Sequence, residues 1–176
     1  MHGTTRLAQR LNQIDERFRW VRLGSAGLEA VGQSPRPIAD VEQAAQDAVE
    51  LSRDPAKGGK VDDKSLEEAA VAVLAEHLGV LSGVQREETG HSEFTDDSGR
   101  LWDVKSPLSP DRPGWVFDPA HHLEVVQEDL DQGEGILLDM TRLNRTDSTA
   151  LLGELGQGLS VQQTGHLLVL LDESLL

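Results

Sequence analysis

The stretch 93–105, Glu-Phe-Thr-Asp-Asp-Ser-Gly-Arg-Leu-Trp-Asp-Val-Lys, constrains the fold of this chain more than any other. It reads as two short strands around the turn Asp97-Ser98-Gly99-Arg100. Alternation along the second strand puts Leu101, Asp103 and Lys105 on one face and Trp102 and Val104 on the other. An acid and an amine therefore project side by side from a strand whose other face is apolar. Asp96 and Asp97 close the first strand just upstream. Carboxylates that converge can hold a divalent metal, and a lysine beside them can orient water or steady charge on a phosphate. The same residues also make good turn chemistry, and Asp103 with Lys105 can equally be a solvated pair on an open sheet face.

Around this hairpin the periodicity predicts an α/β fold. Leu7, Leu11, Ile14, Phe18 and Val21 recur at helical spacing, which predicts an N-terminal helix over 7–21. Gly24 and Gly27 weaken that pattern, and Pro35-Arg36-Pro37 marks a break. A second helix is predicted over 39–52, followed by a linker over 54–63. Ser65-Leu66-Glu67-Glu68 has the spacing of a capping box, with Ser65 as N-cap, and predicts a helix over 65–78 that stops at Gly79. Strands are predicted near 83–87, 92–96, 101–105, 136–140 and 167–171. Asp118-Pro119 opens a helix over 118–132, and a further helix covers 147–155. From residue 65 the order is α-β-β-β-α-β-α-β. With apolar late strands, that order argues for a mixed sheet flanked by helices. The chain divides into an N-terminal helical segment with linker, 1–60, and an α/β domain, 65–176.

Composition limits the chemistry. There is no cysteine, so disulfides, zinc–thiolate sites and thiol nucleophiles are excluded. With three Trp, three Phe and no Tyr, the core must be built from aliphatic residues. The opening Met-His-Gly-Thr-Thr-Arg lacks an apolar signal segment and no run approaches a membrane span. The expectation is a soluble protein with no membrane partner, cytoplasmic or delivered into a target cell's cytoplasm. The net charge is −15, and residues 65–176 carry the whole excess, with six Lys/Arg against twenty-one Asp/Glu. Such a surface repels a polyanion on average and suits a basic partner. That partner is either another protein or the N-terminal segment with Arg6, Arg10, Arg17, Arg19 and Arg22.

Two helical positions stand out. On the wheel of the 65–78 helix, Glu67 falls between Leu74 and Leu78 on the apolar face, while Glu68 falls opposite. A carboxylate on that stripe is costly unless paired, protonated or metal-bound, although a first-turn acid can also reach solvent and complement the helix dipole. Gln127 sits inside the stripe of Leu123, Val126 and Leu130. It either satisfies a backbone group or touches a substrate.

Glu67, Asp96 or Asp97, and Asp103-Val104-Lys105 together resemble the PD-(D/E)XK nuclease superfamily. The setting Trp102-Asp-Val-Lys-Ser-Pro107, followed by Gly135-Ile-Leu-Leu-Asp139, is similar to nuclease toxin domains of bacterial contact-dependent and polymorphic toxins. The resemblance covers about residues 65–140. It implies a restriction-endonuclease-like sheet and a metal-dependent nuclease acting on DNA or RNA, in the manner of a toxin or defence effector. It also implies Mg²⁺ or Mn²⁺ held by Asp96 or Asp97, Asp103 and Glu67. Lys105 would position the attacking water, and Gln127 would be a helper. The charge asymmetry supports a different expectation, a non-enzymatic acidic interaction protein. An immunity protein, a nucleic-acid mimic and a degenerate nuclease scaffold are all of that kind.

Overall fold

In the computed structural model, which describes residues 2–14, 17–33, 40–53, 55 and 58–176, the elements alternate as an α/β chain. They are α1 (His2–Gln13), β1 (Phe18–Gly24), β2 (Gly27–Ala30), α2 (Val41–Leu51), α3 (Asp63–His77), β3 (Gln85–Arg86), β4 (Phe94–Thr95) and β5 (Leu101–Lys105). There follow α4 (Pro119–Asp131), β6 (Gly135–Asp139), α5 (Arg145–Gly158), α6 (Val161–Thr164) and β7 (Leu167–Asp172). The Pro35–Pro37 break and residues 54, 56 and 57 of the expected linker lie outside the described residues.

The strands form one seven-stranded mixed sheet in the order β2-β1-β7-β6-β5-β4-β3. β5, β6 and β7 run parallel, and the meander β3-β4-β5 and the hairpin β1-β2 pair antiparallel. All five residues of β6 and five of the six in β7 are buried, as expected of central strands covered on both faces. Fully burying each such aliphatic side chain is worth about 1.5–3 kcal/mol, so this pair anchors the sheet. Alternation sends Leu137, Leu168 and Leu170 into the layer under α1, α2 and α3. Ile136, Leu138, Leu167, Val169 and Leu171 enter the layer under α4 and α5. The architecture is the expected α/β sheet flanked by helices.

The N-terminal segment departs from the helical expectation. The helix ends at Gln13, and 18–24 is a strand paired antiparallel with β7 through Trp20↔Leu170 and Val21↔Val169. Phe18-Arg-Trp-Val-Arg-Leu satisfies either period. An available edge on β7 decides for the strand, because there Trp20 is fully buried in one layer and Val21 in the other. The segment thus joins the same sheet and the same core as residues 65–176.

Helix starts follow their caps. Asp118 accepts from the His121 N–H at 3.2 Å, with Pro119 in the first turn, and Asn144 accepts from the Asp147 N–H at 2.8 Å. The α3 start is displaced from the expected one. Its N-cap is Asp62, which accepts from the Ser65 N–H at 2.7 Å while Ser65 Oγ accepts from the Asp62 N–H at 3.0 Å. Ser65 is therefore the third helical residue. Glu68 is released from any capping role. At the other end Gly79, with φ +73°, turns the chain as expected.

Candidate metal centre

Parallel register sets Asp103 beside Ile136 and Lys105 beside Leu138, so both side chains lie on the α4 face of the sheet. The last turn of α4 then brings Asp129 over them. Lys105 Nζ lies 2.9 Å from Asp129 Oδ2 and 3.5 Å from Asp103 Oδ2. Gly133, with φ +86°, reverses the chain after α4 and leads into Glu134, immediately before β6. Glu134 is buried, and its Oε1 accepts a 3.0 Å hydrogen bond from Ser92 Oγ. Asp103, Asp129 and Glu134 each offer a carboxylate oxygen within 4.8 Å of the others.

Two further acids close the site from the sheet edge. The pairing Phe94↔Trp102, continued by the Glu93 N–H to Trp102 carbonyl bond, sets Glu93 opposite Asp103. Its Oε2 accepts from the Val104 N–H at 2.7 Å. Burial, then the neighbouring Glu68 and Asp103, push the Glu93 carboxyl up to about 9. Glu68 is itself 9% exposed and has Lys64 Nζ at 3.4 Å. Burial also raises Asp103, to about 6. Lys105 opposes that shift, while Glu134 and Asp129 add to it. For Lys105, burial favours the neutral amine, but Asp129 and Asp103 outweigh it and raise its pKa. The site thus has more carboxylate than cation, and burial together with the mutual repulsion of the acids lifts Glu93 and Asp103 by more than Lys105 offsets.

Of the residues singled out in the sequence, the structure brings Asp103 and Lys105 together and sends the others elsewhere. Glu67 points to a separate cluster, where it meets Arg10 Nε at 3.3 Å and Arg142 Nη2 at 2.5 Å. The helix wheel placed Glu67 inward and Glu68 outward. In a helix buried on almost every side both are largely covered, and Glu68 is the one beside Glu93. Asp96 organises the hairpin turn, accepting from the Ser98 N–H at 2.9 Å, the Arg100 N–H at 3.2 Å and Trp102 Nε1 at 2.9 Å. Asp97 is exposed, and its carboxylate packs against Gly83, where φ is +65° and a Cβ would overlap it. Gln127 donates from Nε2 to the Gly158 carbonyl at 2.8 Å, the backbone-satisfying alternative.

The residues missed are Glu68, Glu93, Asp129 and Glu134. Glu93 was within reach of sequence reasoning, since the hairpin register alone places it opposite Asp103. Asp129 lies one helical turn from Val126 on the buried side of α4, a weaker signal. Glu134 carried none. Three carboxylates offering hard oxygen donors beside a lysine are a donor set suited to Mg²⁺ or Mn²⁺. Comparison with protein-family models, curated proteins and solved structures finds no match. Among the described residues no helix is long and apolar enough to cross a membrane.

Proposed function

We propose that this chain is a metal-dependent phosphodiesterase that hydrolyses nucleic acid. The observation that carries the reading is the convergence of Asp103, Asp129 and Glu134 within 4.8 Å, with Lys105 at 2.9 Å from one of them. Asp103, Asp129 and Glu134 would hold Mg²⁺ or Mn²⁺, with Glu93 and Glu68 as flanking acids in place of Asp96, Asp97 and Glu67. A divalent ion bound there would supply a Lewis acid and lower the pKa of a water. Lys105 stays charged between two carboxylates and offers a fixed cation to the negative charge that develops on a phosphorane. Glu93, protonated in the metal-free protein, holds its carboxyl against the Val104 N–H and keeps the edge of β5 in place. Ser92 orients Glu134 by the 3.0 Å hydrogen bond. The order α3-β3-β4-β5-α4-β6, with acids from α3, the β4 end and β5, supports kinship with PD-(D/E)XK nucleases.

The test is cleavage of plasmid, single-stranded DNA, transfer RNA and ribosomal RNA with Mg²⁺ or Mn²⁺, stopped by chelation. Asp103→Ala should abolish it, and Lys105→Ala should slow it by about 10²–10³. A protein that cuts none of these with either metal, or a Lys105→Ala variant as active as the parent, ends this reading.

One observation favours a second reading, an acidic module for a basic protein partner. Residues 65–176 hold twenty-one acids against six Lys/Arg. That reading requires association that weakens steeply with ionic strength. Binding indifferent to salt rules it out.

A further inference from the structure

A cleft of about 470 Å³ shares a wall with the candidate metal centre. The turn from α4 into β6 brings Asp129 and Glu134 to Asp103, and Asp131 and Gly133 of the same turn line the cleft. Ser160, Gln162 and Gln163 from the start of α6, with His166 just before β7, form its other side. Gln163 is occupied by the fold: its Nε2 donates to Asp131 Oδ1 at 2.8 Å and its Oε1 accepts from the Ser160 N–H at 2.9 Å. Gln162 is exposed, and its amide has no partner among the described residues.

Behind His166 stands Arg100. Its guanidinium lies over the Trp102 ring, 5.7 Å from the centroid, and its Nη2 contacts His166 Nδ1, with Nε2 at 3.2 Å. A guanidinium only donates, so the imidazole nitrogen it meets accepts and the ring is neutral. Burial, then the Arg100 charge, hold the His166 pKa below its ordinary value. Neither neighbour is an anion, and no carboxylate among the described residues pairs with this guanidinium. A part-buried cation is thus fixed between two rings with its charge unneutralised, beside a polar cleft and a metal centre.

We infer that this cleft receives one unpaired nucleoside of the substrate strand, with Arg100 on the adjoining phosphate. The inference takes its ligand class from the nuclease reading and narrows it to single-stranded nucleic acid. The guanidinium fork matches phosphate oxygens. The Gln162 amide, the Ser160 hydroxyl and the Asp131 carboxylate offer donors and acceptors for a base edge and sugar hydroxyls. Asp131 accepts from hydroxyl or amino groups and so belongs to the nucleoside end, away from the phosphate. The volume lies within the range of small-molecule sites. A base presents its pairing edge to such a wall only when it is unpaired.

The experiment is fluorescence anisotropy of labelled DNA and RNA oligonucleotides, each as a single strand and as a duplex, with the full chain in Ca²⁺. Ca²⁺ occupies oxygen-donor sites, so binding is read apart from cleavage in Mg²⁺ or Mn²⁺. At least one single strand should bind about tenfold tighter than its duplex. Arg100→Gln should weaken that strand by about tenfold and reduce the slope of log affinity against log salt by about 0.7, the loss of one phosphate contact. Gln162→Ala should weaken it by about threefold. Gln162 is exposed, so its variant keeps the test valid if Arg100→Gln disturbs folding. Single-strand binding with these responses but no cleavage would uphold the cleft and count against the nuclease reading alone. No binding of any single strand, duplex bound as tightly, an Arg100→Gln variant with the parent's affinity and salt slope, or a Gln162→Ala variant with the parent's affinity would each overturn the inference, even where cleavage stands.

Discussion

The Val104 N–H donates a 2.7 Å hydrogen bond to Oε2 of Glu93, so a carboxyl group caps the edge of β5 where β4 stops pairing with it. β4 is two residues long, and the pairing ends at Trp102. A buried backbone donor left open there would cost about 1–3 kcal/mol. Glu93 satisfies it, and in doing so is held among Glu68 and Asp103, where ionisation is unfavourable.

That position makes metal-free stability depend on pH. The folded Glu93 carboxyl is raised from 4.5 to about 9, so its contribution is fully present below about 4.5 and is lost as pH rises toward 9. Glu93→Gln keeps an acceptor for Val104 and a donor for Glu68 without the ionisation. The variant should melt higher than the parent at pH 8, with the difference closing near pH 4.5. Equal melting temperatures at pH 8 would show that Glu93 is not under this constraint.

Metal should stabilise the fold through the same site. Mg²⁺ or Mn²⁺ should raise the melting temperature of the parent and chelator should reverse it. Asp129→Asn and Glu134→Gln should remove most of that response. Ser92→Ala, which frees Glu134, should weaken the metal by about 10–100-fold. Asp103 sits at about 6, so affinity should fall as pH drops through that value and protons compete. A melting response to metal that survives Asp129→Asn unchanged would remove Asp129 from the ligand set.

Asp96 should behave as a turn residue. Burial alone would raise its carboxyl, but the Ser98, Trp102 and Arg100 hydrogen bonds outweigh that and hold it below its ordinary value. Its contribution is therefore present above the ordinary aspartate range and is lost as pH falls through the lowered folded value. Asp96→Ala leaves the Trp102 indole N–H without its acceptor and should cost about 1–3 kcal/mol in denaturant unfolding. The metal response should be that of the parent. Loss of that response would restore Asp96 as a ligand.

Glu67→Ala should act on stability before chemistry. It takes from Arg142, Arg10 and Arg6 the carboxylate they share, while Arg10 keeps Asp139 and Arg6 keeps Asp63, and losing this partly buried pairing should cost about 1–3 kcal/mol. Urea titration should show a lower midpoint with an unchanged slope. A variant as stable as the parent would mean that the arginines find other partners.

Legibility in the sequence followed the range of the interaction. The alternation of 101–105, the Asp118 cap with Pro119 and the stop at Gly79 are local, and each appears in the structure as read. The α3 start was misplaced by a few residues because Asp62 and Ser65 both offer a capping oxygen. Only the hydrogen bonds choose between them.

The residues by themselves determined that this chain makes a helix-covered mixed sheet and that Asp103 and Lys105 share a strand face, because steric periodicity acts within a few residues. Tertiary structure alone decided that 18–24 is a strand, since the choice rests on the free edge of β7. It alone also brought Asp129 and Glu134 to Asp103. Their convergence depends on which end of α4 lies over β5 and how β6 is registered beside it, and no local pattern encodes that contact.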